Sequence, residues 1–189
     1  MFWVSVKCSS ILVGLIEKLG ISQQMADAQV DVVMGSDSDW QVMQQAIEML
    51  EQLGIAHEKQ VLSAHRMPDD MFRYAETAEA RGLTCIIAGA GGAAHLPGML
   101  AAKTPVPVLG VPIPTRYLNG QDSLYSILQM PKGFPVATFA IGEPGAANAA
   151  LFAAAMLAPH NSKVAEKLVA YRQAQRVKAS SMQLPPTNG

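Results

Sequence analysis

Residues 83–98, LTCIIAGAGGAAHLPG, begin with six uncharged residues that do not alternate polar and apolar, then pass directly into a glycine- and alanine-rich turn. A run of this kind reads as a strand buried on both faces, as in the middle of a parallel sheet. The flanking sequence extends that reading. Residues 29–34 (QVDVVM) form a strand, residues 35–39 (GSDSD) a turn, and Asp39 is placed to cap a helix over 40–53. The apolar residues of that helix, from Val42 and Met43 to Leu50 and Leu53, recur every three to four positions. Gly54 ends it, residues 55–62 form a second strand, and Pro68 starts a helix that Gly82 closes. Beyond residue 98 the spacing predicts a short helix over 96–102, a strand over 105–111 and a helix over 122–129. A fifth strand over 136–141 and an alanine-rich helix over 146–157 follow. Five β–α alternations predict an α/β chain folded as a three-layer α/β/α sandwich around a central five-stranded parallel sheet.

The 189 residues suit one domain, expected over residues 25–178 with a flavodoxin-like architecture. With 14 Lys and Arg against 15 Asp and Glu the net charge is −1, which argues against a dedicated nucleic-acid binder. An apolar content of 50 % excludes disorder over most of the chain. Between residues 83 and 158 only Lys103, Arg116, Asp122, Lys132 and Glu143 are charged. That stretch is expected in the sheet core and in subunit contacts. Cys8 and Cys85 have neither CxxC nor Cys/His ligand spacing, so a structural metal site or disulfide framework is not expected and a reducing cytosol is. No apolar run reaches the length of a membrane span. Near the start, Glu17 and Lys18 follow a short apolar run with no small-residue cleavage pattern. Residues 1–24 are therefore expected to be a disordered extension outside the fold. Residues 161–178 are a basic helix facing solvent or a partner, and residues 179–189 a flexible tail.

In parallel α/β sheets ligands bind beyond the carboxyl ends of the strands. Three such ends carry unusual residues. Residues 35–39 offer hydroxyls, carboxylates and helix N-terminal amides, so Ser36 and Asp39 suit an anionic or hydroxylated ligand, or else a simple turn and cap. In residues 63–66 (SAHR), Arg66 is placed to grip phosphate with its bidentate fork, or to pair with Asp69 or Asp70. His65 beside it belongs to the one residue type that ordinarily exchanges a proton near neutral pH. Residues 89–94 (GAGGAA) fit a loose dinucleotide fingerprint, but follow the third strand and lack a later acidic ribose ligand. The other reading is clearance, with glycines admitting a flat ring or phosphate against the main chain. His95 follows, and is either a structural histidine or a partner of His65 on the same face.

The segments GSDSDW (35–40), SAHR (63–66) and GAGGAAHLPGM (89–99), with DSL at 122–124 and QMP at 129–131, resemble the signatures of the N5-carboxyaminoimidazole ribonucleotide mutase family. The similarity runs from about Val30 to Arg176. It implies a cytoplasmic step of de novo purine synthesis that moves a carboxylate from the exocyclic nitrogen of the substrate to ring carbon C4. It also implies no metal and no organic cofactor, and a homo-octamer; the charge balance and the lack of a long apolar run add that no nucleic-acid or membrane partner is expected. In this resemblance Ser36, Asp39 and Arg66 bind the ribonucleotide. His65 is the general acid/base, with His95, Ser63 and Gly91 at the reacting end. Two other readings compete: a carboxylase taking CO2 directly with aminoimidazole ribonucleotide, and a non-catalytic nucleotide- or flavin-binding module. The second would want aromatic flanks, for which only Tyr117 and Tyr125 are close.

Overall fold

The computed structural model describes residues 29–185. The extension expected over residues 1–24 lies outside them. The chain runs β1 Val30–Met34, a 3-10 turn Asp37–Asp39, α1 Trp40–Leu53, β2 His57–Val61, α2 Pro68–Thr77 and β3 Cys85–Gly91. It continues through α3 Leu96–Ala101, β4 Val108–Ile113, α4 Gln121–Leu128, β5 Ala137–Thr138, α5 Glu143–Leu157 and α6 Ser162–Ser180. All strand pairs are parallel, in the order β2-β1-β3-β4-β5. This is the flavodoxin-like order, whose crossover direction reverses between β1 and β3.

Side-chain alternation sorts the strands into two cores. Val30, Val32 and Met34 face the layer of α1, α5 and the start of α6. Val33, Ile86 and Ala88 face α2, α3 and α4. The first layer owes its tightness to Ala146, Ala149, Ala150, Ala153 and Ala154. They remove side-chain bulk from α5 and let it lie along α1 in the most extensive helix contact of the fold. Asp31 is a charged residue within this apolar interior, 1 % exposed. Its Oδ2 accepts from the Tyr74 hydroxyl and from Arg81 Nη1, both at 2.8 Å, which ties α2 and the turn after it to the sheet. Burial, helped by that carboxylate, pushes the neighbouring Cys85 thiol up to about 12.

Two expectations need correction. β5 is two residues long rather than the six of 136–141. Gly110 and Pro112 of β4 both turn their carbonyls toward that edge, accepting from the Phe139 and Gly142 amides. Pro112 has no amide to return, so the ladder stops after Gly110 pairs with Thr138. Asp39 occupies the position before α1, but its side chain makes no cap bond there. The side-chain cap of this turn is Ser36, whose Oγ accepts from the Ser38 amide. Gly54 does end α1, at φ 71°.

The register places the site. Met34 pairs with Val61 on one side and Gly89 on the other, and Gly89 with Val111. Met34, Val61, Gly89 and Val111 therefore lie at one level, β3 and β4 run two residues past it, and the segments that follow the four strands emerge along one edge of the sheet.

Candidate active site

At that edge lies a cavity of about 460 Å³, within the size range of small-molecule sites. All seven residues singled out in the sequence, Ser36, Asp39, Ser63, His65, Arg66, Gly91 and His95, line it. A larger hollow of about 620 Å³ lies at the amino ends of β4 and β5, but Lys103 is its only charged lining residue. Of the two, only the first combines cations, imidazoles and a carboxylate.

Ser63 and Arg66 come from the turn between β2 and α2. The Met67 amide donates to the Ser63 carbonyl and closes that turn. Arg66 then folds back across the end of β1. Its Nε donates to Ser63 Oγ at 3.0 Å and its Nη2 to the Gly35 carbonyl at 3.2 Å. It does not pair with Asp69 or Asp70; the latter takes Arg73 instead. Two of the five guanidinium N–H groups are thus spent on orientation, and the rest of the fork is left for an anion.

Ser36 is in extended backbone, at φ −155° and ψ 157°, with its hydroxyl bonded to Ser38 and Asp37. Asp39 behind it is 8 % exposed. Burial raises its carboxyl above the ordinary carboxylate range, while the Ser36 and Gly35 amides and the Ser38 hydroxyl pull it back down. A carboxylate kept in so polar a turn suits an acceptor for sugar hydroxyls.

His65 and His95 meet edge to face, with ring centroids 4.9 Å apart and an interplanar angle of 77°. His65 Nε2 lies 2.8 Å from His95 Nδ1, so the N–H of one ring donates a hydrogen bond to the bare nitrogen of the other. This arrangement leaves His65 Nδ1 and His95 Nε2 free for other partners, and two imidazoles sharing a proton can supply one and take one back.

The glycine loop owes its shape to α4. Gly92 stands at φ 67°, its amide donates to Ser123 Oγ at 2.9 Å, and Ser126 Oγ donates to its carbonyl at 3.1 Å. Ser123, fully buried, donates in turn to the Ile113 carbonyl at 2.7 Å. One helix turn thereby sets the spacing between the β3 and β4 walls. Gly91 has no positive φ; a Cβ there would find Ile113 as its nearest neighbour, at ordinary contact distance, so its lack of one keeps the wall clear.

The sequence reading missed the fourth wall. Residues 114–117 (PTRY) follow β4 and bring Thr115, Arg116 and Tyr117 to the cavity. No motif marks them. The available signal was a cation just beyond a strand in a stretch holding only five charges.

Comparison with known proteins gives a consistent result. The family model described as AIR carboxylase matches residues 29–178. N5-carboxyaminoimidazole ribonucleotide mutase of Escherichia coli K12 is 57 % identical over 155 residues, covering 82 % of this chain and 92 % of that protein. The Bacillus subtilis 168 protein of the same name is 56 % identical over 157 residues, covering 82 % and 97 %. Among solved structures, PurE of Treponema denticola superposes with a TM-score of 0.71 at 27 % identity, over 79 % of this chain and 92 % of that one.

Proposed function

The chain belongs to the AIR carboxylase family, and from that premise we propose that it is an isomerase of purine biosynthesis, converting N5-carboxyaminoimidazole ribonucleotide to 4-carboxy-5-aminoimidazole ribonucleotide. The observation that carries this is the 57 % identity extending over 92 % of a mutase. The His65–His95 pair, facing a cavity of nucleotide size, supplies the chemistry.

Ser36, Asp39 and Arg66 bind the ribonucleotide, with the free part of the Arg66 fork on the phosphate. A proton from His65 to the exocyclic nitrogen breaks the nitrogen–carboxyl bond and releases CO2 and aminoimidazole ribonucleotide. Ring carbon C4 then attacks the CO2, the new carbon–carbon bond forms, and the proton on C4 returns to His65. Protons and carbon balance, and no residue becomes covalently attached. Ser63, Gly91 and His95 enclose the reacting end, where held CO2 benefits from proximity.

A homo-octamer in the cytoplasm completes the reading. It is supported by the charge-poor residues 83–158 and by exposed Tyr125, Leu128, Phe134 and Phe152. No helix among the described residues is long and apolar enough to cross a membrane. The test is an assay with freshly generated N5-carboxyaminoimidazole ribonucleotide against aminoimidazole ribonucleotide plus bicarbonate. Turnover of the first without added bicarbonate is expected. Activity confined to the second would make the protein a carboxylase.

A further inference from the structure

The two arginines of the cavity stand on different walls. Arg66 follows β2 and Arg116 follows β4, with β1 and β3 between them, so their strands are about 14 Å apart at the usual sheet spacing. Their states differ. Arg66 is anchored on Ser63 and Gly35. Arg116 has no carboxylate partner among the described residues, and its guanidinium lies over the Tyr117 ring, 5.7 Å from the ring centroid.

The loop that carries Arg116 is nevertheless firmly built. Thr115 Oγ1 donates to Asp122 at 2.8 Å and accepts from the Gly120 amide, while the Asn119 amide donates to the Thr115 carbonyl. Asn119 is held at φ 52°, a left-handed conformation that non-glycine residues seldom adopt. Gly120, at φ 91°, packs where a side chain would strike Ile141. A backbone fixed at this many points presents Arg116 to the cavity as a defined group.

A carboxyaminoimidazole ribonucleotide carries a phosphate at one end and a carboxylate on its heterocycle. We propose that Arg116 recognises that carboxylate, and so makes the site prefer carboxylated ribonucleotides to aminoimidazole ribonucleotide, which has the phosphate alone. The proposal rests on the mutase reading and on Arg66 serving the phosphate. A planar guanidinium matches a carboxylate through two parallel N–H bonds. Substrate and product both keep the carboxylate, and only the intermediate has lost it. The contact therefore stabilises both ground states and is lost on the way to the intermediate, so removing it should raise KM and cannot lower kcat.

Arg116→Ala is expected to raise KM for N5-carboxyaminoimidazole ribonucleotide roughly three- to tenfold at low salt, a modest effect because the group is exposed. The variant should leave kcat unchanged or raised, never lowered, and the difference in KM should shrink in about 0.5 M salt. By calorimetry the variant should bind the carboxylated product more weakly by the same factor, yet bind aminoimidazole ribonucleotide as the parent does. Arg116→Lys should recover part of the loss, keeping charge without the fork. Arg66→Ala should weaken both ligands alike. The proposal is overturned if Arg116→Ala weakens aminoimidazole ribonucleotide as much as the carboxylated ligand, if it weakens neither, or if kcat falls instead. The calorimetry needs no turnover. A parent protein that binds both ligands but converts neither would overturn the mutase reading while leaving the Arg116 comparison intact.

Discussion

Asp39 is where binding and stability pull apart. Its carboxyl is raised chiefly by burial, so the native chain holds that proton to higher pH than the unfolded chain does. From the ordinary 3.8 up to the raised native value the native state binds more protons, so stability falls as pH rises through that window and stays lowered at neutrality. Asp39→Asn keeps the size and an acceptor but removes the charge. It should melt higher than the parent at pH 7, lose that advantage below pH 3.8, and bind substrate less well. A lower melting temperature at pH 7 would mean that the contacts from the Ser36 and Gly35 amides outweigh burial. The histidines divide differently. His65→Asn removes titration while retaining a hydrogen bond, and turnover should fall roughly 10²–10⁴-fold, the range for a lost general acid/base. His95→Asn still offers His65 Nε2 a partner and should cost less; the opposite order in stopped-flow rates would exchange the two roles. Gly91→Ala tests the clearance reading. The added methyl meets Ile113 Cβ at 3.5 Å, ordinary contact, so the melting temperature should hold while KM rises. An unchanged KM would remove Gly91 from the substrate wall.

At the scale of elements, α4 links two walls that the sequence presents separately. Ser123 is fully buried and its hydroxyl serves the Gly92 amide and the Ile113 carbonyl together. Ser123→Ala strands the buried Ile113 carbonyl, a loss of about 1–3 kcal/mol, and releases the half-buried Gly92 amide at smaller cost. Urea unfolding should register that loss, and kcat/KM should drop roughly tenfold or more at temperatures where the variant remains folded. Full activity beside lowered stability would confine Ser123 to packing. This bridge also marks where sequence reasoning ran out. β1, α1 and the stop at Gly54 were legible because periodicity and one left-handed glycine are local properties. The seven residues that line the cavity were legible because they lie close to strand ends and in the segments that resemble the family signatures, Ser63 and Gly91 through that resemblance alone. β5 was not, because its length depends on Pro112 in a different strand. Arg116 was not, because only the register of β3 with β4 carries its loop to the cavity. The Ser36 cap was hidden by Asp39, an equally good capping residue three positions later.

For the whole molecule, the protomer leaves apolar surface that the fold itself does not cover. On α4, Tyr125 and Leu128 are 61 % and 49 % exposed while Ile127 between them is buried, so one helix faces both the core and the outside. Phe134 lies in the loop just beyond, 48 % exposed. Apolar area of this kind in a chain of net charge −1 favours association, since little charge repulsion opposes it. In a homo-octamer light scattering should return eight times the 20.1 kDa chain mass at micromolar concentration. Leu128→Asp places a charge on the outer face without disturbing Ile127, so the protomer should keep its circular dichroism while the assembly falls to smaller species. The same helix holds Ser123 against the walls of the candidate site, so dispersing the assembly should also lower turnover. A parent protein that stays at 20.1 kDa would refute the oligomer. A Leu128→Asp protein that keeps the full mass would move the interface off α4, to the exposed Phe152 face of α5.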